Sequence, residues 1–257
     1  MNILICFKVG PDLDKVADSD WGEVCRNPGA DLSYAGRVLG CFDESALEVA
    51  LRLKEAGDAL GQPVRCTALT LGQKPPAPVW QSLYAAGLDE VVVAEGDHHE
   101  FRPGAVALEL AAYAKENAFD LILTGRQAGL GDTATVPYLL GELLGLPVLG
   151  DAELVTLDTA GLRVTRTTHR GRERLTVQPP LVVSIGNSPA AALRAVTLRS
   201  KLAAAKRQVT AYPAQPLDWD CPTLHREEVL TQCSYWEGEP AELAARVADT
   251  YMGEVRG

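Results

Sequence analysis

Several protein classes are excluded by what the sequence lacks. No stretch approaches eighteen uninterrupted apolar residues, so nothing in it is built to span a bilayer. The six cysteines, at positions 6, 25, 41, 66, 221 and 233, include no C-x-x-C pair and have no histidine beside them at metal-ligand spacing, which argues against structural zinc. Basic charge is short: 24 Lys and Arg stand against 34 Asp and Glu, a formal net charge of −10, which disfavours nucleic acid or an anionic membrane as a partner unless the basic residues are clustered. The nucleotide fingerprints G-x-G-x-x-G after the first strand and G-x-x-x-x-G-K-[ST] are missing, and so are the catalytic patterns G-x-S-x-G and H-E-x-x-H. Of the four histidines, His98 and His99 in Gly-Asp-His-His-Glu read as a solvated loop rather than a metal site.

What is present fits a globular chain. With 257 residues there is material for a sizeable core, and 47% hydrophobic with 23% charged residues excludes a disordered or fibrous chain. Met1-Asn2-Ile3-Leu4-Ile5-Cys6-Phe7 has no basic n-region, so the expected location is cytoplasmic, with reduced thiols. Cys6 and Cys66 fall inside apolar strand patterns, where cysteine serves as a small core residue.

Ile3 to Val9, closed by Gly10-Pro11, predicts a strand buried on both faces. Residues 11–42 are irregular and too long for an ordinary connection, which suggests a functional excursion or a small hairpin. From Asp43, apolar residues at 46, 47, 50, 51 and 53 predict an amphipathic helix with acids in its first turn. Strand 64–71, a helix near 77–86 stopped by Gly87, strand 91–93, a helix near 104–116 and strand 121–123 follow in alternation. That alternation predicts an α/β fold with a mostly parallel, doubly wound sheet, whose ligand edge carries the loops after Val9, Leu71, Val93 and Thr124. Segments 153–157, 162–168 and 173–177 predict antiparallel strands, 181–185 another apolar strand, and 240–252 a final amphipathic helix with Ala241, Leu243, Ala244, Val247 and Ala248 on its apolar side. That helix packs against another protein or against its own domain. Trp219, Tyr235 and Trp236 near it are interface anchors or core aromatics.

The segment richest in chemistry is Leu123-Thr124-Gly125-Arg126-Gln127-Ala128-Gly129-Leu130-Gly131-Asp132-Thr133, followed by a helical pattern from Val136. Three glycines between a buried strand and a helix N-terminus offer backbone N–H groups to a phosphate, with the Thr133 hydroxyl and the Arg126 cation as further donors. The simpler alternative is a tight turn with Asp132 as helix cap. Between Arg174 and Leu217 stand six basic residues (Arg174, Arg194, Arg199, Lys201, Lys206, Arg207) and no acid, which reads either as a docking surface for an acidic partner or as a solvated helix face.

Three motifs occur in the order and spacing of one family. Phe42-Asp43-Glu44-Ser45-Ala46-Leu47-Glu48-Val49-Ala50-Leu51-Arg52-Leu53-Lys54-Glu55 resembles the N-P-[YF]-D-E-x-A-L-E-x-A-L-x-L-K-E stretch of electron transfer flavoprotein beta subunits. Gly125-Arg126-Gln127-Ala128 through Gly131-Asp132-Thr133 resembles that family's G-[KR]-Q-A-I-D-G-D-T loop. Glu173-Arg174-Leu175 with Pro180-Leu181-Val182-Val183-Ser184 resembles the second half of its signature, and the similarity runs in register from residue 1 to about 211.

The resemblance implies an adenine-nucleotide-hydrolase-like α/β fold without hydrolase activity: an electron carrier, not an enzyme, in a heterodimer with an FAD-binding alpha subunit. It implies AMP in this chain, or a second FAD at the same place in bifurcating members. The implied nucleotide residues are Cys6, Gly40, Cys41, Phe42, Asp43, Leu71, and Gly125, Arg126, Gln127, Ala128, Gly129, Leu130, Gly131, Asp132, Thr133, Ala134, Thr135 and Val136, with Phe42 also near the alpha-subunit flavin. Arg194, Leu198, Arg199 and Lys201 align with the loop that docks flavin dehydrogenases, Leu198 at the anchoring leucine. The implied organisation is a nucleotide-binding domain over 1–190, a recognition loop and basic helix over 191–211, and a C-terminal arm over 212–257 that packs on the alpha subunit. Gly40-Cys41 stands where the family has Asn-Pro, Gly129-Leu130 replaces the Ile-Asp of its loop, and His169-Arg170 replaces an acidic run. A stand-alone adenine-nucleotide sensor of universal-stress type shares the broad fold but needs neither basic loop nor arm, and an ATP-pyrophosphatase lacks its Ser-Gly-Gly-x-Asp-Ser loop here.

Overall fold

The computed structural model describes residues 1–24, 31–96, 101–129, 134–213 and 235–252. The chain divides into two compact units, Met1–Leu224 and His225–Gly257.

The first unit is built on a nine-stranded sheet. In chain order its strands are β1 (Asn2–Cys6), β4 (Arg65–Gly72), β5 (Glu90–Glu95), β6 (Leu121–Gly125), β7 (Val148–Asp158), β8 (Gly161–Thr168), β9 (Gly171–Val177), β10 (Leu181–Ile185) and β11 (Thr210–Pro213); a separate ribbon pairs β2 (Val9–Pro11) with β3 (Arg37–Leu39). The order across the sheet is β11-β5-β4-β1-β6-β10-β7-β8-β9. Every pairing from β11 to β7 is parallel, and the β7–β8–β9 meander is antiparallel. The expected doubly wound α/β sheet with an antiparallel section is the fold observed.

Alternation along β1 explains the layering. Ile3 and Ile5 face one side, where α2 (Cys41–Ala59), α3 (Ala77–Ala86) and α6 (Leu198–Ala204) contribute Leu47, Leu51, Leu83 and Ala204 to one core. Leu4 and Cys6 face the other side, against α4 (Pro103–Asn117) and α5 (Val136–Leu144), which contribute Leu110, Ala114 and Leu140. Ile3, Leu4 and Ile5 are fully buried, and burial of each such side chain stabilises by about 1.5–3 kcal/mol. A strand covered on both faces has to be apolar throughout, which is why its sequence shows a run rather than an alternation.

The predicted first strand is cut short. The Phe7 amide still donates to the Leu69 carbonyl at 3.0 Å, but the Lys8 amide donates to the Asp43 carboxylate at 2.9 Å, so the chain leaves the sheet there and Val9 begins the separate ribbon. The region 11–42 contains that ribbon as the expected small hairpin, with a 3₁₀ turn at Leu13–Lys15 and helix α1 (Asp18–Val24) inside it and a minor core of Val16 and Ala35. Helix α2 starts two residues before the expected Asp43, because Gly40 in an extended conformation serves as its N-cap. Helix α3 has the expected bounds and ends on Gly87 at φ 118°, a left-handed conformation that glycine adopts without steric cost.

In the second unit, α7 (Pro240–Val247) continues into a π turn at Ala248–Met252, Trp236 stacks on Tyr251, and the Arg246 guanidinium lies 4.2 Å from the centre of the Trp236 ring. None of the α7 residues is buried. Trp219 lies outside the described residues. No helix among the described residues is long and apolar enough to cross a membrane.

Candidate functional site

Strand order reverses beside β1, which has β4 on one side and β6 on the other, and a crevice at the carboxyl ends of the strands is the natural ligand position there. A cleft opens at that point. Its walls come from the ends of three strands, Cys6 through Lys8, Thr70 and Leu71, and Thr124 through Ala128, with the start of α4 and of α5 closing the sides. A second cleft lies between the β2–β3 ribbon, the first turn of α2 and residues Gln127 to Gly129. Lys8, Asp43, Gln127 and Ala128 border both, so a single wall separates them.

Two features of the first cleft point to a bound polar group. The Thr124 hydroxyl is buried, borders the cleft and has no hydrogen-bond partner among the described residues. A buried hydroxyl without a partner costs about 1–3 kcal/mol, so its natural complement is a ligand atom. Next to it, Gly125 leaves room where a side chain cannot stand: an added Cβ would press into the Asp43 carboxylate and lie 3.0 Å from the Asp43 amide nitrogen. The rim also carries two non-glycine residues at positive φ, Phe101 at 61° and Ala134 at 51°. That conformation is unusual for a bulky residue, and such strain concentrates at binding sites.

Asp43 organises the dividing wall. Its side chain is buried; it accepts the Lys8 amide at 2.9 Å and also the Gly125 amide. Burial outweighs those hydrogen bonds and pushes its pKa up to about 7. The neighbouring Cys6 thiol is pushed up as well, by burial and then by the Asp43 charge, so it is inert as a nucleophile. Arg126 stacks its guanidinium 4.8 Å from the centre of the Phe42 ring, donates to the Gln127 side chain at 2.8 Å, and lies 3.6 Å from the carboxylate of Asp151.

The residues expected at the nucleotide site divide between the clefts. Cys6, Leu71, Gly125, Arg126, Ala134 and Val136 border the first; Gly40, Cys41, Phe42 and Gly129 border the second; Asp43, Gln127 and Ala128 border both. Thr135 is the N-cap residue of α5 and borders neither. Leu130, Gly131, Asp132 and Thr133 lie outside the described residues, as do His98 and His99. The sequence reading missed Thr124, Phe101, Arg102 and Val106, although a polar residue ending the buried run 121–124 was a usable signal, and Phe101 and Arg102 follow the loop after β5 that the sheet topology had marked.

The basic segment also divides. Arg194 is committed inside the molecule: its guanidinium forms a two-pronged pair with Glu48, at 3.0 Å for each prong, and bonds Glu55, while its amide donates to Glu48 at 3.2 Å. Arg207 lies over the Tyr84 ring and donates to the Asp89 carbonyl. Leu198, at 74% exposure, and Leu202, at 64%, stand one turn apart on α6, with Arg199 and Lys201 exposed beside them.

Comparison with known proteins gives the class. Residues 33–217 match the model of the electron transfer flavoprotein domain, and the chain belongs to that family of electron carriers. Over 257 residues, 98% of each chain, it is 29% identical to the protein of Escherichia coli (strain K12) named "Putative electron transfer flavoprotein subunit YgcR".

Proposed function

We propose that the chain is the beta-type subunit of an electron transfer flavoprotein, binding AMP, or a second FAD, in the first cleft and pairing with an alpha subunit that binds FAD. The observation that carries the nucleotide assignment is the partnerless Thr124 hydroxyl beside the Gly125 cradle at the strand-order reversal. The donor set fits a nucleotide. The backbone at Gln127 and Ala128 and the Thr124 hydroxyl suit phosphate or ribose oxygens, while Leu71, Val106, Leu110 and Pro137 supply apolar surface for a base. The second cleft, with Phe42 in its wall, suits the edge of the alpha-subunit flavin. The flavin supplies the electron chemistry when bound; this chain binds, orients and tunes the electrostatics around it.

Leu198, Leu202, Arg199 and Lys201 form the docking face for a flavin dehydrogenase, with apolar insertion for affinity and cations for steering. Arg194 belongs to the support of that face rather than to the face itself. Residues 1–190 then hold the nucleotide, 191–211 dock the redox partner and 212–257 form the arm on the alpha subunit, with β11 joining the end of the docking segment to the main sheet. A cytoplasmic location accompanies this reading.

The test is to co-purify the chain with its partner subunit, denature the complex, and identify and count the nucleotides released. One FAD and one AMP per heterodimer is the expected result for a carrier of single pairs of electrons, and two FAD indicates a bifurcating type. A chain that purifies alone with bound ATP overturns the proposal in favour of a nucleotide sensor.

A further inference from the structure

Asp43 does something that neither its position in the family's motif nor its place among the cleft residues assigns. It sits in the first turn of α2, and its carboxylate reaches sideways to two other segments: the Lys8 amide, where the chain leaves β1, and the Gly125 amide, where it leaves β6. These two segments and the start of α2 are the three pieces of the wall shared by both clefts. The fit around the carboxylate is tight. A Cβ on Gly40 would come within 2.8 Å of Asp43 Oδ2, and a Cβ on Gly125 would press into Oδ1, so both glycines keep space for this one side chain. At 7% exposure little of it is available to a ligand.

With the Lys8 amide on Oδ2 and Gly125 beside Oδ1, the carboxylate serves here as an acceptor. A protonated carboxyl turns one of those oxygens into a donor that faces an N–H, so the wall is complete only with Asp43 ionised. The charged and titratable groups around it are few. Lys8, beyond the end of β1, favours the ionised form; the Cys6 thiol at the end of β1 stays neutral; Arg126, after β6, is stacked on Phe42; and Glu44, on α2 itself, accepts the Leu193 amide. We propose that Asp43 is a positioning residue rather than a nucleotide contact: in its ionised form it holds the Lys8 and Gly125 segments together, and the first cleft binds its nucleotide tightly only in that form. The inference rests on the nucleotide reading of the first cleft. Because burial places the Asp43 titration near neutrality, the linkage falls in an accessible pH range.

The experiment uses the complex of this chain with its partner subunit, stripped of loosely held nucleotide, and measures AMP affinity by calorimetry from pH 6 to pH 8.5. Wild-type affinity is expected to fall about tenfold between pH 8 and pH 6. In Asp43→Asn, which has one acceptor oxygen where the carboxylate has two, affinity is expected to be lower at pH 8 and to show only the residual pH dependence of the phosphate's own second ionisation, near pH 6. Identical pH profiles in the two proteins would overturn the proposal. Should the variant fail to fold, wild-type titrations at pH 7 in two buffers of different ionisation heat count the protons released on binding: about half a proton per AMP supports the linkage, and a release no larger than the roughly one tenth that the phosphate alone supplies overturns it. A folded, flavin-loaded wild-type complex with no affinity for AMP or FAD at any pH removes the nucleotide reading itself, and this inference falls with it.

Discussion

Replacing Thr124 by valine separates a binding role from a packing role, because the two side chains share a shape and differ by a hydroxyl for a methyl. The hydroxyl is buried with no partner among the described residues, so its removal is expected to stabilise the nucleotide-free protein by about 1–2 kcal/mol. In the nucleotide-bound protein the same change deletes a hydrogen bond, which costs about 0.5–1.5 kcal/mol, or roughly a two- to tenfold rise in Kd for AMP. The signs are opposite: unfolding in urea without nucleotide shifts to higher denaturant, while the extra stability conferred by a fixed AMP concentration shrinks. Wild-type AMP affinity in Thr124→Val would refute the assignment of the hydroxyl to the ligand. Lower stability of the nucleotide-free variant would show that the hydroxyl has a protein partner and that the reasoning from an orphaned group was mistaken.

Leu198→Ala is expected to slow electron transfer to the docked dehydrogenase, read as a raised KM, with nucleotide content and heterodimer formation unchanged; loss of the heterodimer would sink the docking role. Arg194→Ala leaves Glu48 buried with half of its ion pairing gone and is expected to cost about 2–4 kcal/mol in chemical denaturation. Burial raises the Glu48 pKa, but Arg194 and Arg52 together outweigh it and hold the group below its ordinary value of 4.5, so its contribution is present above pH 4.5 and is lost as pH falls through the depressed value. That acid-side loss, followed by unfolding between pH 6 and pH 3, is expected to be smaller in Arg194→Ala, and an unchanged pH profile would dismiss the clamp. Gly141→Ala places a Cβ against the Val148 side chain and 3.1 Å from the Leu146 carbonyl, so a loss of about 1–3 kcal/mol in thermal or urea unfolding is expected, and a neutral effect would contradict the close packing of α5 on β7.

Much of the fold was legible because its cause is local. Apolar runs such as 121–123 and 181–185 can only be strands covered on both sides, and Gly87 stops α3 where a left-handed residue is required. The candidate site was legible through glycine spacing and motif resemblance around 125–129. Its division into two clefts was not, because that depends on where the β2–β3 ribbon folds back, a long-range pairing between Val9 and Leu39 without a local signal. The early end of β1 was hidden for the same reason: an acid 35 residues away captures the Lys8 amide. The basic stretch misled in one respect, since charge counting cannot tell an arginine held by two glutamates of α2 from one offered to a partner.

Helix α2 links features that otherwise stand apart. Its first turn, Cys41 to Asp43, is part of the wall between the clefts, and further along the same rod Glu48 and Glu55 grip Arg194, four residues ahead of Leu198. At 1.5 Å per residue, Asp43 and Glu48 are about 7–8 Å apart along the axis, and Asp43 and Glu55 about 18 Å. The helix therefore works as a ruler and a protractor at once: any partner seated on Leu198 inherits a set distance and bearing from the cleft. One residue inserted between Asp43 and Glu48 would turn the two ends of the helix by about 100° relative to each other, so the wall at Asp43 could not be kept together with both the core contacts of Leu51 and the grip on Arg194.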